Sequence, residues 1–170
     1  MRNLGFTALA AITLLGPWAA AHGQNGQAGA ASIGGITPAP PDKVAIFRNA
    51  DLQTTWADLE AKQVVNKRAL EGGTYSINVR IAKESEAPQV HAHSIDVWIV
   101  TAGTATAITG GELVDPQNRP RPGDMVGSSI RGGVEQPLQA GDVLYVPTGV
   151  PHGFKNIKGF RAFLIRTEVK

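Results

Sequence analysis

The strongest constraint on this chain is a change of period after Lys62. From there to the end, apolar residues come in short runs that alternate inward and outward with period two, and glycines separate the runs. Val64–Leu70, then Gly72-Gly73, then Thr74–Ala82 reads as a hairpin with a Gly-Gly turn. Further strands are expected at Asp96–Thr101, Ala105–Thr109, Val143–Pro147 and Phe160–Thr167. Gly103, Gly110-Gly111, Gly132-Gly133, Gly141 and Gly149 fall between them. Many short strands at close spacing point to a sandwich or barrel. Twenty glycines and eleven prolines in 170 residues count against a helical bundle.

One helix precedes the strands. In Asp51–Lys62, Leu52, Trp56 and Leu59 share a face, with Asn49 or Asp51 available as cap. Upstream, Arg2, an uncharged apolar stretch Leu4–Leu15, and Ala19-Ala20-Ala21 follow the order of a Sec-type secretory signal peptide. Its apolar core is too short for the roughly 20 residues of a membrane span. Cleavage after Ala21 or Gly23 fits, so residues 1–23 are assigned as signal peptide and the location as periplasmic or secreted, with no stable membrane span left after cleavage. The Gly/Ala/Gln/Pro-rich run that follows lacks bulky apolar residues, and 24–43 is assigned as a disordered linker. The compact domain is expected over 44–170.

A formal charge of +2 with scattered basic residues gives no support for nucleic-acid binding. The absence of cysteine excludes disulfides, thiolate metal sites and cysteine nucleophiles. Any metal chemistry must therefore use nitrogen and oxygen donors.

Of four histidines, His22 lies beside the cleavage site, which leaves His91, His93 and His152. On a strand, His91 and His93 would share one face. Asp96 follows after two residues and Gly103 after six more. Later comes Gly141-x5-Pro147-x-Gly149-x2-His152-x3-Asn156. This order resembles the paired motifs of the cupin superfamily, G-x5-H-x-H-x3–4-E-x6-G and G-x5-P-x-G-x2-H-x3-N. The second motif is complete here. In the first, Asp96 replaces glutamate one or two residues early, and Ser85 stands where a glycine is usual.

The resemblance implies an all-β cupin jelly-roll β-barrel, a single domain with one short N-terminal helix, and a metal at its centre. His91, His93, His152 and Asp96 are then the expected ligands, with Asp96 as either ligand or neighbouring acid. Imidazoles with a carboxylate suit one divalent transition metal: Fe, Zn, Ni or Mn. By parity with Asp96, Trp98 points inward, and Phe154 follows His152; Arg80 is a further expected lining residue. Tyr145 is a candidate acid or hydrogen-bond donor, and Asn156 is expected to hold the turn before His152. Arg119 and Arg121, in the proline-rich stretch Asp115–Asp124, read as a solvated face. The expected partner is a small-molecule ligand or substrate, with a homodimer as an assembly that sheet edges would allow. Two functions compete: a metal-dependent enzyme on a small oxygenated molecule (dioxygenase, lyase or isomerase), or a non-catalytic small-ligand or metal-binding protein.

Overall fold

A computed structural model describes residues 37–170. Residues 1–36, which include the expected signal peptide, His22 and most of the expected linker, lie outside the described residues. In chain order the elements are α1 (Asn49–Ala61), β1 (Asn66–Glu71), β2 (Tyr75–Ile81), β3 (Gln89–Val90), β4 (Ser94–Thr109), β5 (Glu112–Val114), β6 (Gln117–Asn118), β7 (Met125–Val126), β8 (Ser129–Arg131), β9 (Val134–Gln139), β10 (Val143–Val146) and β11 (His152–Glu168). None of the described helices is long and apolar enough to cross a membrane.

Every described strand pairing is antiparallel. β1, β2, β11, β4 and β10 lie side by side in that order. The expected hairpin is present as β1–β2, with a bulge between Arg68 and Leu70. Two expected strands, Asp96–Thr101 and Ala105–Thr109, are instead one strand, β4, whose first half pairs with β10 and whose second half pairs with β9. Gly103 allows this continuity. It sits at φ +70, and a Cβ there would run into the carbonyl of Gly159 on β11, so only glycine passes this crossing. β11 is likewise a single long strand, irregular between Lys155 and Ala162, and so turns from one sheet region to the other. β9 went unforeseen because Pro137 interrupts it. The strand pairs with β4 alone among the described strands, and such edges are where a ladder accepts proline.

Parity sorts the side chains. Asp96, Trp98 and Val100 of β4 are buried inside, opposite Arg166, Leu164 and Ala162 of β11, which in turn face Ser76, Asn78 and Arg80 of β2. Leu144 and Val146 extend this inner face. On the outer face, α1 packs Trp56 and Leu59 against Val79, Ile81 and Phe163. Burying those two helix side chains contributes about 2–3 kcal/mol each, and the Trp56 indole also donates to Arg80 O at 3.1 Å. The helix begins two residues before Asp51. Arg48 occupies the N-cap position without a side-chain cap bond, and Asn49 is already helical. Ahead of it, Thr37–Ala39 pairs with Glu71, so ordered contact starts upstream of Val44.

Candidate metal centre

The inner-face register sets one row of the site. Arg166 of β11 lies opposite Asp96 of β4, and its Nε and Nη2 donate to Oδ1 and Oδ2, both at 2.6 Å. Burial by itself would push the Asp96 carboxyl up. The bonds and charge of Arg166 outweigh it and hold the group well below the usual carboxylate range.

Two histidines converge on the same carboxylate. His91 follows β3 directly, in the turn before β4, and His152 opens β11 beside Gln89. The Pro147–Pro151 turn is tied to this corner by Gly149 N–H donating to His91 O at 2.8 Å, with Gly149 at φ +73. His91 Nε2 stands 3.8 Å and His152 Nε2 3.6 Å from Asp96 Oδ2. His91, Asp96 and His152 are 2 %, 1 % and 2 % exposed, with one donor atom from each lying within 4.8 Å of the other two.

The second ring nitrogens decide the tautomers. His152 Nδ1 faces the carbonyl of Val150 at 3.1 Å, which can only accept. His91 Nδ1 faces Asp124 Oδ2 at 3.0 Å, in a carboxyl group whose Oδ1 accepts from Ala92 N–H. Each Nδ1 therefore carries the proton, and each Nε2 presents a lone pair. Both Nε2 atoms are buried without a hydrogen-bond partner. Burial chiefly, and the nearby Arg166 charge, push His91 down to about 4, so its ring is neutral at physiological pH. Two imidazole nitrogens without a hydrogen-bond partner, beside one carboxylate oxygen that is already paired to Arg166, fit a divalent ion of the Fe or Zn type.

The other expected site residues divide. His93 is exposed and lies outside this group. Residues 91–93 form a turn, not a strand, so period-two alternation does not put the two rings on one face. Tyr145 is 58 % exposed. It pairs with Val97 on the outer face, since inward positions on β10 belong to Leu144 and Val146. Trp98 and Phe154 are inside, stacked edge to face at 4.8 Å. Arg80 lies over the Trp98 ring at 5.1 Å and pairs with Glu86 at 2.7 Å. Asn156 sits on β11 at φ +54 and reaches Thr106 Oγ1 at 3.3 Å, away from the turn before His152.

Two residues were missed. Arg166 was legible in principle, being an inward-parity position in an expected strand. Asp124 gave no such signal. It lies in the stretch expected to be solvated, which instead folds back as the β6–β7 hairpin and pairs with β3. There Arg119 donates to Gln89 Oε1 at 2.8 Å and Arg121 to Ser94 Oγ at 2.8 Å.

No protein-family model and no curated protein matches the sequence. Solved structures do match in shape. BH2720 from Bacillus halodurans is 10% identical, over 76% of this chain and 86% of that one, with a TM-score of 0.50. A protein with a double-stranded β-helix domain from Klebsiella pneumoniae is 21% identical over 62% of this chain and 75% of its own, TM-score 0.42. A cupin 2 conserved barrel domain protein from Salinispora arenicola is 16% identical over 60% and 73%, TM-score 0.37. At these identities the likeness is one of fold. With its antiparallel strands wrapped around an inward-facing His/Asp/His group, the chain has the jelly-roll, double-stranded β-helix fold of the cupins.

Proposed function

We propose that this protein is an exported, metal-dependent enzyme acting on a small oxygenated molecule at a divalent ion held by His91, His152 and Asp96. The observation that carries this reading is the pair of buried, unpartnered Nε2 lone pairs converging on Asp96 Oδ2. Leaving such atoms unsatisfied costs about 1–3 kcal/mol each, a cost that an ion removes. Two histidines and one carboxylate are the donor set of non-heme Fe(II) oxygenases, though the same donors also accept Zn, Ni or Mn. A bound ion would act as a Lewis acid towards a chelating oxygen ligand or activate water or dioxygen.

The chain's own groups shape what could bind. Arg166 balances the charge of Asp96, so an ion seated there adds positive charge that an anionic oxygen ligand would offset. Trp98 and Phe154 wall the interior beside the donors and exclude water from that side. The alternative of a non-catalytic binding protein is favoured by the placement of Tyr145, which removes the one phenol proposed as an acid.

Elemental analysis of untagged protein tests the reading. About one transition-metal ion per chain is expected in the wild type and in His93→Ala, with loss in His91→Ala and His152→Ala. No metal in any of them, before or after reconstitution, overturns it. Metal lost from His93→Ala as well would overturn the ligand set. Export is checked separately by N-terminal sequencing of envelope-fraction protein, where an intact Met1 would refute cleavage.

A further inference from the structure

The β6–β7 hairpin, Gln117–Val126, meets the candidate metal centre through one side chain. Asp124 Oδ2 accepts from His91 Nδ1 at 3.0 Å while Oδ1 accepts from Ala92 N–H at 3.0 Å. The carboxylate is buried, so both bonds form out of water. They fix the ring plane of His91 and the backbone immediately after it. The hairpin's remaining ties are mostly polar: a two-residue ladder to β3, Gly127 N–H to Pro88 O at 3.0 Å, Arg119 to Gln89, and Arg121 to Ser94 and Glu168. Its tip, Arg119–Asp124, holds Pro120 and Pro122, which limit its own flexing. It is also pressed close, because a Cβ at Gly123 would come within 2.6 Å of Ala92 Cβ.

The three donors are almost wholly buried. Any ion or ligand must therefore enter through a displacement of covering structure, and the hairpin, which touches His91 and is held by the polar ties above, is one such piece.

We infer that Asp124 is the positioning residue of the metal centre and that it couples ion binding to docking of the β6–β7 hairpin. The inference rests on the metal reading above. With Asp124 in place, His91 Nε2 faces Asp96 and His152. With the hairpin lifted, the ring loses the side-chain hydrogen bond that fixes its plane. By reciprocity, an ion that needs His91 aimed must stabilise the docked hairpin, and a docked hairpin must tighten the ion.

The test uses cobalt(II) alone, titrated into the metal-stripped full chain and followed by visible absorption, with hydrogen exchange of the 117–126 amides measured with and without the ion. In the wild type, cobalt should slow exchange in the hairpin. Asp124→Ala should weaken cobalt binding about 10–100-fold and abolish that slowing, while Asp124→Asn, keeping one acceptor, should fall between. Gly123→Ala guards against an Asp124 variant that fails to fold. It pushes the tip off Ala92 while leaving every polar partner in place, and should speed hairpin exchange and weaken cobalt several-fold. Unchanged affinity in Asp124→Ala, or faster exchange with unchanged affinity in Gly123→Ala, overturns the coupling. Wild-type protein that binds no cobalt overturns the metal reading itself, a different result from the first two.

Discussion

Replacing Arg166 by methionine isolates the charge pair at the heart of the barrel. Methionine fills much of the same volume but leaves the Asp96 carboxylate, 1 % exposed, without its two 2.6 Å donors. Breaking a buried ion pair from one side costs about 3–5 kcal/mol. For a domain of this size that corresponds to a fall in Tm of roughly 10–20 °C. The deficit has a pH signature. In the wild type, Asp96 is held below its ordinary range, so it contributes stability above about pH 4 that is lost only as pH falls through the folded value. In Arg166→Met, burial loses its main opponent, with only His152 still acting against it, and the carboxyl rises. The variant is then least stable, relative to wild type, at neutral pH, and the gap narrows as the solution is acidified toward pH 4. Urea denaturation of metal-free protein at pH 7 and pH 4.5 measures both points. The double variant Arg166→Met/Asp96→Leu should recover most of the loss, because an apolar pair no longer carries an uncompensated charge. A single-variant cost under about 1 kcal/mol at pH 7, or a gap that widens in acid, would refute the argument that the pair holds the interior together.

Other perturbations read other parts of the site. His91 is pushed from 6.5 down to about 4, so the unfolded chain takes up a proton before the folded one does. Metal-free protein should lose about 3 kcal/mol of stability as pH falls from 6.5 to 4, and a flat profile over that window in denaturant melts would contradict the neutral, buried ring. Trp98→Ala removes a fully buried ring packed on Phe154 and Phe160 and should cost about 3–5 kcal/mol by chemical denaturation; a cost below 1 kcal/mol would mean the interior collapses around the gap. In the edge strand β10, which pairs with β4 alone among the described strands, Val143 and Tyr145 are exposed and uncharged. Such an edge is a template for pairing, so Val143→Lys should reduce self-association in sedimentation runs, and a wild type that stays monomeric at high concentration would dismiss edge pairing.

Alternation carried most of what the sequence revealed. Once Asp96 is taken as inward, Trp98 and Val100 follow, and the register with β11 delivers Leu164 and Ala162 to the same interior. The rule failed where its premise failed. His91 and His93 flank a turn residue, so spacing by two there says nothing about a shared face. Tyr145 was misplaced for the opposite reason: it obeys alternation, but the inward set on β10 is Leu144 and Val146. The β6–β7 hairpin was illegible because polar, proline-rich composition normally marks solvated loops. Here its buried carboxylate, Asp124, finds its partners across more than thirty residues of chain, a separation that no local pattern encodes.

The charge arrangement also bears on why the site keeps an arginine so near a place suited to a cation. Two imidazoles and a carboxylate paired to Arg166 hold an ion less tightly than the same set with an unpaired carboxylate would, since Arg166 repels the incoming charge at short range. What that pairing supplies is order. Both Asp96 oxygens are pinned by a bidentate contact, and Oδ2 stands 3.8 Å and 3.6 Å from the two Nε2 atoms. An ion bound there would be weakly neutralised yet well oriented, leaving its remaining positive charge for a small anionic oxygen ligand. Ion and ligand should then strengthen each other: cobalt affinity should rise several-fold in the presence of a chelating carboxylate such as oxalate, beyond what oxalate does to free cobalt. In Arg166→Met that increment should shrink, because the carboxylate of Asp96 would neutralise more of the ion itself. Equal increments in both proteins, measured by competition against a coloured chelator, would show that Arg166 takes no part in the balance.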